Sequence, residues 1–179
     1  MEGNMQKYES AATSQNQVPA LITHLVENNI INNDMVVLDY GCGKYDTAKK
    51  FVLWCFNKVQ YLTYDPYNRS KEVNKAALAQ KADIVILANV LNTIREPDAR
   101  SQVLLSAQKQ MKPGARLYIS TYKAPKSGLY QDDPFPGQPT KRGTCWQNCL
   151  PIANYMEEVR RVLPSSYIKN GFINFQSHY

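Results

Sequence analysis

The chain holds only two histidines, His24 and His178, and they stand near opposite ends of its 179 residues. A histidine paired with a nucleophile, or a histidine-rich metal cluster, is therefore not expected. Cysteine is equally sparse. Cys42, Cys55, Cys145 and Cys149 fit no disulfide framework, and Cys145 with Cys149 makes a CxxxC pair with no second pair to complete a zinc site. Reduced thiols and no metal are the expectation. No apolar run approaches the ~20 residues that a bilayer-spanning helix needs. Residues 1–10 are polar and contain no secretory apolar core. These absences predict a cytoplasmic protein that does not enter membranes. Repeats and low-complexity tracts are missing too, which argues against a repeat architecture.

What is present is the composition of one ordinary globular domain, 44% hydrophobic and 20% charged. The net charge of +6 suits a polyanionic partner. Its basic residues are scattered in short pairs such as Lys49-Lys50, Lys141-Arg142 and Arg160-Arg161, so nucleic acid contact gains only slight support.

The order of elements is more informative. Residues 8–33 read as a mostly helical lead-in that ends in an Asn-rich stretch. Residues 35–40 form a continuous apolar run closed by an acid, the pattern of a buried parallel strand. A helix follows through Ala48, Phe51, Val52 and Cys55, with Asp46 or Thr47 as its cap. Further strands are predicted at 59–64, 83–87 and 116–122, with helices before Lys81 and over 97–111. Residues 123–144 turn to Pro, Gly, Asp and Lys and read as a long loop. A helix over 152–162 and a hairpin over 167–175, turning at Asn170-Gly171, close the chain. Strand–helix alternation predicts an α/β fold, a Rossmann-like three-layer sandwich with a mostly parallel sheet and a C-terminal β-hairpin. We expect one domain over 1–179, with a lead-in at 1–34, a ligand-binding core at 35–122, an acceptor-side loop at 123–147 and a closing helix and hairpin at 148–179.

The chemistry concentrates at Asp39, Tyr40, Gly41, Cys42 and Gly43, followed by Asp65 and Pro66 at the end of the next strand. A strand running into Gly-x-Gly lets a ligand approach backbone that a Cβ would block. An acid at the second strand's tip is placed to accept both hydroxyls of a ribose. Asp39 is suited to holding a cationic amine. A dinucleotide site would carry a third glycine for the pyrophosphate, but Gly43 is followed by Lys44, Tyr45 and Asp46. NAD is therefore disfavoured.

Leu-Asp-Tyr-Gly-Cys-Gly-Lys resembles the first motif of class I S-adenosylmethionine-dependent methyltransferases, and Lys112-Pro-Gly before a strand is similar to their later landmark. A finer likeness adds Tyr64-Asp-Pro66, Ala82-Asp-Ile-Val, Asn89-Val-Leu-Asn-Thr-Ile94 and Glu96-Pro-Asp-Ala-Arg100. Together these resemble the compact putative methyltransferases of phages and of DNA-phosphorothioation gene neighbourhoods. The resemblance implies S-adenosylmethionine as cofactor, held by Asp39, Tyr40, Gly41, Cys42, Gly43, Asp65 and Pro66, with a wall at Asn89, Val90 and Leu91. The short interval between Asp65 and Asp83 departs from full-length class I enzymes and predicts a trimmed sheet. Asn92, Tyr122 and Trp146 are the candidates near the reacting atoms. The acceptor stays unidentified, with nucleic acid slightly favoured over a small molecule. With no room for a separate target-reading domain, a homodimer or a partner would have to help read nucleic acid sequence. The rival reading is a non-catalytic protein that binds S-adenosylmethionine or a nucleoside on the same fold.

Overall fold

The computed structural model describes residues 16–122, 137–139 and 145–177. Its main sheet starts from β1 (Val36–Tyr40), β2 (Gln60–Tyr64), β3 (Ala82–Ala88) and β4 (Met111–Ser120), which are parallel to one another. Their apolar runs leave no polar face because helices cover both sides. β7 (Tyr167–Lys169) and β8 (Phe172–Gln176) then join antiparallel beside β4, giving the order β2-β1-β3-β4-β8-β7. Asn170 and Gly171, at φ 54° and 78°, supply the left-handed pair that a two-residue hairpin requires.

Alternation along each strand splits the core in two. Leu38, Val85, Leu87, Leu117 and Ile119 point to the layer of α3 (Lys71–Leu78), α4 (Pro97–Gln108) and α5 (Ile152–Val162), which contribute Ala77, Leu104 and Tyr155. Val37, Ile84, Ile86 and Tyr118 point to the layer of α1 (Ala20–Glu27) and α2 (Thr47–Cys55), with Leu21, Leu25, Ala48 and Val52. The three-layer sandwich expected from the element order is present. Only α3 fits between Asp65 and Asp83, so β2 is an edge strand and the sheet is trimmed as the spacing implied.

Several boundaries shift for physical reasons. β4 begins at Met111 rather than Arg116 because Met111 already pairs with Ala82. Lys112, Pro113 and Gly114 then form an irregularity in the ladder before Arg116 meets Ile84. Asp46 precedes α2 but does not cap it through its side chain, because its carboxylate pairs with Arg69 at 2.8 Å. Among the described residues the lead-in is helical over α1; residues 1–15 lie outside the described residues. Of the segment expected as a loop, Gly137–Pro139 and Trp146–Asn148 pair as β5 and β6. The rest of that segment, and His178, lie outside the described residues. Among the described residues no helix is long and apolar enough to cross a membrane.

Candidate active site

Parallel strands leave a crevice at their carboxyl ends, and here β1, β2 and β3 end on a cavity of about 410 Å³. Asp39, Tyr40, Gly41, Cys42 and Gly43 form one wall, Asp65 and Pro66 a second, and Asn89 and Val90 a third. Asn92 and Tyr122 stand at the same cavity. Leu91 does not: it is buried in the core, and its carbonyl accepts from the side chain of Asn148. Trp146 is also absent from the wall. Its ring is buried against Gly137, where an added Cβ would lie 2.5 Å from Nε1, and its neighbour Gln147 faces the cavity instead.

The turn after β1 is held by backbone. Gly41 and Cys42 both donate to the carbonyl of Tyr64, at 2.7 and 3.1 Å. Gly41 sits at φ 91°, and a Cβ there would lie 2.5 Å from Cγ2 of Val90. Its lack of a side chain thus serves the packing of two cavity loops against each other, a demand the sequence reading assigned to the ligand. Gly43, at φ 73°, donates to Oδ2 of Asp65 at 2.9 Å. The other oxygen of Asp65 accepts from the backbones of Tyr67 and Asn68 and from the Asn68 amide, at 2.9–3.0 Å. Asn74 of α3 pairs with both the N–H and the carbonyl of Asp65, fixing its backbone.

Asp39 is buried at 3% exposure and takes one hydrogen bond, from the hydroxyl of Tyr61 at 2.9 Å. Burial pushes its carboxyl up to about 7, while the Tyr61 hydroxyl and the Arg69 guanidinium pull the other way. Burial, together with the Asp39 charge, pushes the Cys42 thiol up to about 12, so Cys42 is a thiol and not a nucleophilic thiolate. Arg69 reaches over this turn and binds Cys42 Sγ, the carbonyl of Tyr45 and the Asp46 carboxylate. Charge on the described wall is Asp39 and Asp65 alone.

On the remaining side, Asn92 accepts from the backbone of Tyr122 and donates to the Gln147 side chain, both at 3.3 Å. Gln147 returns hydrogen bonds to the carbonyls of Asn92 and Tyr122. Asn148, fully buried, donates to the carbonyls of Leu91 and Ile94 and accepts from Trp146. These contacts dock the β5–β6 hairpin onto the loop after β3. Asn89 closes that loop in the left-handed region at φ 58°.

Sequence reasoning passed over Tyr61, Arg69, Asn74, Gln147 and Asn148. Only Arg69 and Asn74 had a local signal, through their nearness to Asp65. His24 packs on Phe172 and is not on the cavity wall. Among the described residues no cluster of His, Cys, Asp and Glu is placed to hold a metal ion.

The family model described as a methyltransferase domain matches residues 12–171. No curated protein matches the chain. Solved structures of similar fold include the 1,6-didemethyltoxoflavin-N1-methyltransferase of Burkholderia thailandensis with 1,6-didemethyltoxoflavin and S-adenosylhomocysteine bound. It is 14% identical at TM-score 0.56, over 89% of this chain and 78% of that one. Another is CalS10 of Micromonospora echinaspora, an amino pentose methyltransferase with S-adenosylmethionine bound, 12% identical at TM-score 0.50 over 87% and 88%. A third is an S-adenosylmethionine-dependent methyltransferase of Methanosarcina mazei, 12% identical at TM-score 0.52 over 85% and 96%. At these identities the likeness is one of fold.

Proposed function

Since the chain belongs to the methyltransferase domain family, we propose that it transfers a methyl group from S-adenosylmethionine to a small-molecule acceptor as a single domain. The observation that carries this reading is the cavity itself. Its described wall joins a Gly-x-Gly turn to two carboxylates and holds no cation. A donor bearing a sulfonium and an ammonium suits such a wall, whereas pyrophosphate or a phosphodiester would be repelled by its two carboxylates. The structures of similar fold whose acceptors are known by name act on small molecules, a toxoflavin precursor and an amino pentose, and this favours a small-molecule acceptor over nucleic acid. The finer likeness to phage and phosphorothioation-associated methyltransferases supports the same cofactor residues without naming an acceptor.

S-adenosylmethionine, when bound, supplies a methyl group on a good leaving group, so an acceptor lone pair can displace it in line. The chain's own residues bind and orient. Asp39 would pair with the ammonium, and the turn from Tyr40 to Gly43 would hold the donor by its backbone. Asp65 and Pro66 would hold the ribose, while Asn89 and Val90 would close the far side. Asp65 would reach a ribose hydroxyl through the second lone pair of Oδ2, since Oδ1 already accepts three hydrogen bonds and Oδ2 one. Asn92, Gln147 and Tyr122 form the acceptor side, with Tyr122 exposed enough to offer its ring. Holding donor and acceptor at about 3–3.5 Å and excluding water supplies most of the rate, so no catalytic triad is needed.

Calorimetric titration with S-adenosylhomocysteine tests the donor site. One binding site is expected, weakened about tenfold or more in Asp65→Ala; no heat from the wild-type protein refutes the reading. Incubation with methyl-labelled donor and the small-molecule and nucleic acid fractions of an extract tests the acceptor. Label is expected in the small-molecule fraction, and label confined to nucleic acid overturns that part.

A further inference from the structure

Tyr61 points from β2 into the apolar layer shared with Val37 and Val52, at 4% exposure. A phenylalanine would fill that space equally well, so the packing does not explain the hydroxyl. The hydroxyl makes one hydrogen bond, and its partner is the carboxylate of Asp39 at the cavity wall, 2.9 Å away. That carboxylate takes no other described hydrogen bond, although it is as buried as Tyr61 itself.

We infer that Tyr61 is a positioning residue, whose hydroxyl holds the Asp39 carboxylate toward the cavity in the charged form that pairs with the amine of the methyl donor. This rests on the cofactor reading above. A buried carboxylate without a donor swings or takes up a proton, and either change removes the negative charge from the wall. The phenol counters both, since it fixes one oxygen and stabilises the anion. Its own proton stays in place, because burial and the neighbouring anion push the phenol well above its ordinary value. The other groups facing Asp39 are the Arg69 guanidinium, which also favours the anion, the Asp65 carboxylate, which opposes it, and the neutral Cys42 thiol. The helices and strands packed on that face offer Ala48, Val52, Ile84 and Ile86 to the layer, together with Tyr118, whose phenol burial pushes above its ordinary value and so keeps neutral.

The sign of the pH effect follows. The free carboxyl titrates near 7, and the donor's ammonium pairs only with its ionised form. Affinity for an amine-bearing ligand therefore falls as pH drops through that value, by up to about tenfold per pH unit for one linked proton. Without the Tyr61 hydroxyl the carboxyl titrates higher, and the falling limb moves to higher pH.

The test is calorimetric titration between pH 5.5 and 8 with S-adenosylhomocysteine and with methylthioadenosine, which keeps the nucleoside and lacks the amine. The wild-type protein is expected to show the acid limb with the first ligand and not the second. Tyr61→Phe should bind S-adenosylhomocysteine several-fold more weakly at pH 7 and recover by pH 8, with methylthioadenosine unchanged. Asp39→Asn should lose the limb. Tyr61→3-fluorotyrosine, a stronger donor of nearly the same shape, should move it to lower pH and serves if the phenylalanine variant unfolds. A Tyr61→Phe profile superimposed on the wild type, or an equal loss at every pH for both ligands, overturns the inference. A limb that survives in Asp39→Asn does the same. Failure of both ligands to bind the wild-type protein refutes the cofactor reading instead.

Discussion

The backbone N–H of Gly43 donates to Oδ2 of Asp65 at 2.9 Å, so the carboxylate at the end of β2 closes the glycine turn that follows β1. With its other oxygen on Tyr67 and Asn68, Asp65 ties together two loops of the cavity wall. It is a structural clamp before any ligand arrives.

Asp65→Ala is accordingly expected to cost stability as well as binding. Losing the acceptor for several buried donors is worth about 1–3 kcal/mol. Asp65→Asn keeps the Tyr67 and Asn68 contacts through its amide oxygen and loses the one to Gly43, for about 1 kcal/mol. Urea denaturation of the two variants should rank them in that order. Equal midpoints for all three proteins would show the clamp to be idle.

Gly41→Ala combines two penalties. The backbone is left-handed at φ 91°, and the new Cβ would meet Val90 at 2.5 Å. Backbone strain of this kind costs about 1–3 kcal/mol. Adding Val90→Ala relieves the contact and leaves the strain, so the double variant should regain only part of the loss. Full recovery would mean that the steric contact was the whole effect.

The buried carboxyl of Asp39 makes stability depend on pH. Its value is about 7 in the folded chain against an ordinary 3.8, so the folded state keeps a proton that the unfolded chain releases. Its stabilising contribution is complete below pH 4 and is lost as pH rises to 7. Asp39→Asn does not titrate, and its stability relative to wild type should climb between pH 4 and 7 and level off above. The total is on the order of 4 kcal/mol. Denaturation midpoints that run parallel across this range would contradict the buried charge.

Arg100 joins α4 to α5 through a two-pronged pair with Glu158, both contacts at 2.6 Å, and also holds the carbonyls of Ile94 and Arg95. It is 2% exposed, so Arg100→Ala strands a carboxylate and the carbonyl of Arg95, while Ile94 keeps its bond from Asn148, at about 3–5 kcal/mol. Glu158→Gln, on the more accessible side of the pair, should cost less. Thermal melts showing the reverse order would place the strain elsewhere.

What the amino-acid sequence determined by itself is local. The apolar run into Gly41 and Gly43, the acid closing β2, the Asn170-Gly171 turn and the α5 amphipathic helix are each set within a few residues by sterics and periodicity. They were read with little error. The trimmed sheet followed as well, because too few residues separate Asp65 from Asp83 to build another strand. Only the tertiary structure decided which distant side chains meet. Tyr61 reaches Asp39 because β1 and β2 pair with Val37 opposite Tyr61, and Arg100 reaches Glu158 because α4 packs on α5. The choice of Gln147 over Trp146 at the cavity rests on strand alternation in β6, where a shift of one residue reverses which side chain faces the ligand. Short-range geometry is written in neighbouring residues; register and packing are settled by the whole core at once, and that is why the turn was legible and the residues that support it were not.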